Sequence, residues 1–127
     1  RSAQASPFLD GVPERFDVLQ WHSAEVKQTP DDAVVLASSP RCAVQAMSVG
    51  PRAFSMQFHV EITDRTVPEW HAVPAYCAAL EQSLGADGPQ RLHAQADAHM
   101  REFNALAARL YANWCATVGF PSPRNAG

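Results

Sequence analysis

Arg52-Ala53-Phe54-Ser55-Met56-Gln57-Phe58-His59-Val60-Glu61 is the stretch on which the reading of this chain turns. Its centre, Phe54 to Phe58, is apolar and aromatic enough to predict a buried strand. A polar pair, His59 and Glu61, follows at the strand's end. Side chains at i and i+2 of a strand share a face, so the imidazole and the carboxylate are expected to be neighbours. A carboxylate there orients the ring and favours its charged form, which is the base-and-orienter half of a nucleophile–base–orienter triad. The plainer alternative is a histidine ending an edge strand beside a solvated glutamate. For an isolated H-x-E that alternative would stand, and the flanking sequence decides between the two.

Gln57-Phe58-His59-Val60-Glu61 resembles the Q-F-H-P-E signature of class I glutamine amidotransferases, and three further segments agree with that family in order and spacing. Phe16-Asp17-Val18-Leu19-Gln20-Trp21-His22-Ser23-Ala24-Glu25-Val26 is similar to its strand and turn with a histidine followed by an acidic position. Pro30-Asp31-Asp32-Ala33-Val34-Val35-Leu36-Ala37-Ser38-Ser39 is similar to its segment opening on proline, and Arg41-Cys42-Ala43-Val44-Gln45-Ala46-Met47 to the strand before the signature. Each motif alone is moderate evidence, and four in register are strong. In style the chain resembles the stand-alone proteins similar to the amidotransferase domain of guanosine monophosphate synthase.

The resemblance implies an α/β fold, of which this chain is expected to be the C-terminal half: part of a flavodoxin-like class I glutamine amidotransferase domain, with short antiparallel strands followed by C-terminal helices. It implies glutamine hydrolysis by a Cys-His-Glu triad with ammonia passed to an acceptor. His59 and Glu61 carry over as catalytic residues, and Trp21, His22 and Ser23 as lining of the glutamine site. No cofactor is implied. The expected partners are the substrate glutamine and either a synthetase or the N-terminal half of the same domain. Two departures matter. Valine stands at position 60 where the family has proline, which would fix the backbone between the two catalytic residues. No G-x-C-x-G nucleophile elbow occurs, so the nucleophile is expected upstream of Arg1, and the fragment alone is expected to be inactive. A catalytically inactive binding module and a γ-glutamyl hydrolase or peptidase remain as alternatives, which fold resemblance does not separate.

Composition bounds the rest. The 127 residues suffice for one domain, and 46% hydrophobic content supplies a core. A net charge of −3 without a basic cluster gives no footprint for nucleic acid. No apolar run is long enough to span a bilayer and no signal peptide is evident, so a cytoplasmic location is expected. The three cysteines make neither a disulfide framework nor a zinc pattern. Cys42 opens a strand, while Cys77 and Cys115 sit among apolar helical neighbours, so none reads as a nucleophile. His71, His93 and His99 fall outside any H-x-x-x-H spacing, and no metal is predicted.

Along the chain, one partial domain is expected over residues 1–127. Residues 1–15 form an irregular lead-in, with a ragged end through Pro7. Residues 16–61 are strand-rich and catalytic, with Phe16 to Trp21 as a strand. Ala33 to Ser38 and Ala43 to Val49 are strands joined at Ser39-Pro40-Arg41, and short turns between successive strands predict an antiparallel meander. Trp21, Met47 and Met56 read as core. Residues 66–119 are helical, opening on a capping box, Thr66-Val67-Pro68-Glu69. Pro74 is expected to kink or restart the helix and Gly85 to stop it. Ala86-Asp87-Gly88-Pro89 is the connecting turn. The apolar stripe of Leu92, Ala96, Met100, Phe103, Ala107, Leu110 and Trp114 then predicts one long helix or two, ending near Gly119. Trp70, Phe103 and Trp114 read as core anchors. Residues 120–127 are a disordered tail.

Overall fold

A computed structural model describes residues 6–121; residues 1–5 of the ragged end expected through Pro7 and residues 122–127 of the tail expected from residue 120 lie outside the described residues. Pro7 opens a 3-10 turn, and Phe120 meets the Trp114 ring at 6.0 Å. The chain divides into two compact units. One runs to His59 and resumes at Leu106; the other is Val60–Ala105.

The first unit holds a three-stranded antiparallel sheet in the order β1-β2-β3, formed by Ala33–Ser39, Cys42–Val49 and Ala53–Met56. The expected meander is what forms. Pro40 and Arg41 connect β1 to β2, with Ser39 opposite Cys42. Proline's fixed negative φ excludes the primed turns that match the twist of a two-residue hairpin. The register shifts twice in the half of β1 next to this turn, between Val35 and Ala37 and between Ala37 and Ser39. β2 alternates most clearly between covered and open faces, burying Cys42, Val44, Ala46 and Ser48, and it also buries Gln45.

Three expectations for this unit need correcting. β3 ends at Met56, and its residues are mostly exposed, because among the described residues it pairs with β2 alone. The buried aromatic is Phe58, beyond the strand, which Phe16 meets edge-on at 5.8 Å. Phe54 instead stacks on Phe8 at 5.1 Å. Met56 is exposed, and Trp21 and Met47 are half-buried. Phe16 to Trp21 is not a strand: among the described residues only Leu19 finds a ladder partner, His59. A strand exists through its neighbours, and the mixed polarity on both faces of this segment gave it none beyond that one residue.

The lead-in is a 3-10 turn at Pro7–Leu9. Asn113, buried on the last helix, donates to the Phe8 carbonyl at 3.1 Å and the Asp10 carbonyl at 2.8 Å. Loop carbonyls taken out of water need such partners, and one amide supplies both.

The second unit begins with α1, Thr66–His71, and α2, Pro74–Leu84. Thr66 is the first helical residue rather than the cap, so the expected capping box does not form. Its hydroxyl accepts from the Thr63 N–H at 3.0 Å, and Glu69 pairs with Arg65 at 2.7 Å. Pro74 restarts the helix at the first position of α2, where its missing N–H costs nothing. Gly85 stops α2 with φ of 89°, a conformation that favours glycine. Gly88 and Pro89 belong to the next helix rather than to the turn. At Gly88 a Cβ would lie 2.4 Å from that of Leu84, so the chain closes there only without a side chain.

α3, Gly88–Val118, is one continuous helix. No glycine or proline interrupts it after Pro89, and the predicted stripe is its buried side: Ala96, Phe103 and Leu110 are buried, with Leu92, Met100, Ala107 and Trp114 partly so. Trp70 is likewise half-buried. Among the described residues no helix is long and apolar enough to cross a membrane.

Candidate functional site

His59 closes the first unit, and its backbone is fixed from both directions. The Leu19 N–H donates to the His59 carbonyl at 3.0 Å, and the His59 N–H donates back to Leu19 at 2.9 Å. Leu19 is buried, so this pair anchors a half-buried histidine to the core without using its ring. Two residues earlier the Gln57 N–H donates to the Gln45 carbonyl at 2.9 Å, extending the β2–β3 ladder past the end of β3.

Glu61 belongs to the second unit and is exposed. Its Oε2 accepts from the Val60 N–H at 2.9 Å. The Val60 side chain is buried.

Trp21, His22 and Ser23 follow Leu19 on the segment paired with His59. The His22 ring is held at both nitrogens: Nδ1 lies 2.7 Å from the Ala24 carbonyl and Nε2 lies 2.8 Å from Gln20 Oε1. The backbone contact is the turn-capping role open to any histidine in a turn. The contact to Gln20, two residues earlier, is a second restraint. Ser23 is exposed and Trp21 half-buried.

Gln20 leads into a polar network that the sequence reading missed. Gln45 Nε2 donates to Gln20 Oε1 at 3.0 Å and to Ser39 Oγ at 3.1 Å. Ser39 Oγ also accepts from the Cys42 N–H at 3.2 Å. Gln57 Nε2 donates to the Val44 carbonyl at 2.7 Å and reaches Cys42 Sγ at 3.4 Å. Gln45 is 4% exposed, and among the described residues its buried Oε1 has no hydrogen-bond partner. The available signal was a polar residue inside the apolar run Ala43-Val44-Gln45-Ala46. Buried amides are rare unless bonded, so such a residue asks for partners. Gln20, Ser39 and Gln45 line an open groove of about 1220 Å³, together with Phe16, Phe58 and the lead-in loop.

Two of the cysteines are buried, Cys42 and Cys115. The Cys77 thiol donates to Glu81 Oε1 at 3.6 Å. Partial burial first, and then the Glu81 carboxylate, push its pKa up, opposite to what a nucleophilic thiol requires. His93 and His99 face carboxylates of their own helix, Asp97 at 3.4 Å and Glu102 at 3.3 Å.

Comparison with known proteins supplies the context for these residues. The family model "Glutamine amidotransferase class-I" matches residues 2–69, a span containing Trp21, His22, Ser23, His59 and Glu61. The chain is 41% identical over 54 residues to the glutamine-hydrolysing GMP synthase of Aeropyrum pernix, covering 42% of the chain and 10% of that protein. It is 36% identical over 61 residues to a subunit of the glutamine-hydrolysing GMP synthase of Methanoculleus marisnigri, covering 47% of the chain and 33% of that protein. It is also 38% identical over 50 residues to gamma-glutamyl peptidase 3 of Arabidopsis thaliana, covering 39% of the chain and 20% of that protein. The chain therefore spans at most about a third of the length of these relatives.

Proposed function

The chain belongs to the class-I glutamine amidotransferases, and from that premise we propose that it supplies the base and the orienter of a Cys-His-Glu site that hydrolyses glutamine. His59 takes the proton of a cysteine thiol that these 127 residues do not contain. The thiolate attacks the side-chain amide carbon of glutamine. The C–N bond then breaks as the imidazolium returns the proton to the leaving nitrogen, giving ammonia and a thioester. Water, deprotonated by His59, releases glutamate. Glu61 holds the imidazole in the tautomer that faces the thiol and offsets its charge. Trp21, His22 and Ser23 line the glutamine site. The chain is then the C-terminal half of a flavodoxin-like domain, and the ammonia goes to a synthetase partner, a role suggested by the relatives named as GMP synthases.

The observation that carries this reading is the family match over residues 2–69, a span that includes Gln57-Phe58-His59-Val60-Glu61. The backbone pairing of His59 with Leu19 supports it, because a general base must be held in one place. The test is ammonia release from glutamine by the full-length gene product and its His59→Ala variant. Loss of release on the order of 10³-fold or more, with an unchanged unfolding midpoint, is expected. Unchanged release in the variant sinks the assignment.

A second reading, γ-glutamyl hydrolysis of another amide, is favoured by the similarity to the Arabidopsis peptidase. Turnover of a γ-glutamyl peptide faster than glutamine would select it. A catalytically inactive binding module, favoured by Val60 in place of proline, is selected when neither substrate is turned over.

A further inference from the structure

We propose that Gln45 is a positioning residue for the substrate turn, acting on His22 through Gln20. This rests on the reading above in one respect, that Trp21, His22 and Ser23 line the glutamine site. The Gln45 side-chain nitrogen has two hydrogens and meets two oxygens, Gln20 Oε1 at 3.0 Å and Ser39 Oγ at 3.1 Å. The first bond fixes the Gln20 amide with its oxygen toward the His22 ring, 2.8 Å from Nε2. The plane of the ring is thereby set by a residue on β2, which reaches it through Gln20, 25 positions away. The Gln45 main chain meanwhile accepts from Gln57, two residues before His59. One buried residue thus ties the turn to the segment that carries the base.

Among the described residues the buried Gln45 Oε1 has no hydrogen-bond partner, so this amide is held through its nitrogen, by Gln20 and Ser39. A glutamine kept only to fill space between strands has no such tie to His22.

The full-length protein is compared with Gln45→Met, Gln20→Ala and the double variant. Methionine nearly preserves the buried shape, and Gln20 is exposed, so its truncation leaves the core intact. Each single variant is expected to raise the KM for glutamine about tenfold, the worth of one net hydrogen bond, with kcat within about threefold. The double variant is expected to match Gln20→Ala alone, because Gln45 works through Gln20. Long-range ¹H–¹⁵N spectra of the His22 ring provide a readout independent of turnover. The His22 ring nitrogen shifts are expected to move in both single variants, as the Gln20 contact at Nε2 is released. Multiplying KM effects in the double variant, or a His22 signal unchanged in Gln45→Met, overturns the proposal. Should Gln45→Met not fold, Gln20→Ala decides alone, and an unchanged KM with an unchanged His22 signal overturns it. A wild type that releases no ammonia from glutamine refutes the proposed function instead, and the His22 spectra still decide the role of Gln45.

Discussion

The backbone N–H of Val60 donates to Glu61 Oε2 at 2.9 Å, a bond that the proline of the family signature has no hydrogen to make. Proline restrains this backbone through its ring; valine leaves φ free and ties the neighbouring carboxylate with its N–H. The two residues offer different restraints at one position. Val60→Pro is therefore expected to keep glutamine turnover within about threefold of wild type, exchanging one restraint for the other. Val60→Ala keeps the N–H and empties a buried site, and should cost about 2 kcal/mol of stability with turnover unchanged. Denaturant midpoints and ammonia assays on the two variants separate the roles. A large loss of turnover in Val60→Pro would show that the hydrogen bond, rather than a fixed backbone, is what the site needs.

Glu61→Gln tests the carboxylate itself. The amide preserves the size of the side chain and an oxygen for the Val60 N–H, so the fold is expected to be unaffected. It removes the negative charge proposed to offset the His59 imidazolium. A fall in kcat on the order of 10²–10⁴-fold is expected, at a KM for glutamine close to wild type. A variant that turns over as fast as wild type would remove Glu61 from the mechanism.

What could be read from the sequence, and what could not, follows the range of the forces involved. The β1–β2 hairpin was legible because the short turn at Pro40-Arg41 forces neighbouring apolar runs into antiparallel pairing. The length of α3 was legible as one of two options, and the absence of any breaker after Pro89 explains why one helix forms. Phe16 to Trp21 failed as a strand because strand character lies in ladder partners, and among the described residues only His59 provides one. The Thr66 cap failed by one residue, since Thr63 competed for the same hydroxyl. The Gln20–Gln45 bond joins residues 25 apart, and no local pattern specifies such a contact. His59 and Glu61 are proposed as site residues through the motif, and composition and periodicity alone would have left them as a strand end.

Asn113 should matter to stability far more than its position late in α3 suggests. Removing its amide strands the Phe8 and Asp10 carbonyls, and the lead-in loop that they hold lines the groove. Asn113→Leu is expected to cost about 2–3 kcal/mol, chiefly the penalty of leaving the buried Phe8 carbonyl unpaired, with a smaller part from the part-buried Asp10 carbonyl. Asn104→Leu is the matched control. Asn104 is exposed and bonds to the Met100 carbonyl of its own helix, so a change within about 0.5 kcal/mol is expected. Urea midpoints at unchanged m-values give the comparison, and equal costs at the two positions would refute the clamp.

The Cys77 thiol gives a prediction whose sign is fixed by its surroundings. Partial burial and then Glu81 raise its pKa, so at neutral pH less of it is thiolate than for an ordinary cysteine. Alkylation proceeds through the thiolate. The rate of iodoacetamide labelling at Cys77, followed by peptide mapping, is therefore expected to rise with pH to a midpoint above that of a free thiol. Glu81→Gln removes the charge and replaces the carboxylate acceptor, and it should move the midpoint down, though not fully to the free value, because the partial burial remains. A midpoint that does not move in Glu81→Gln would leave burial as the whole cause and make the 3.6 Å contact incidental.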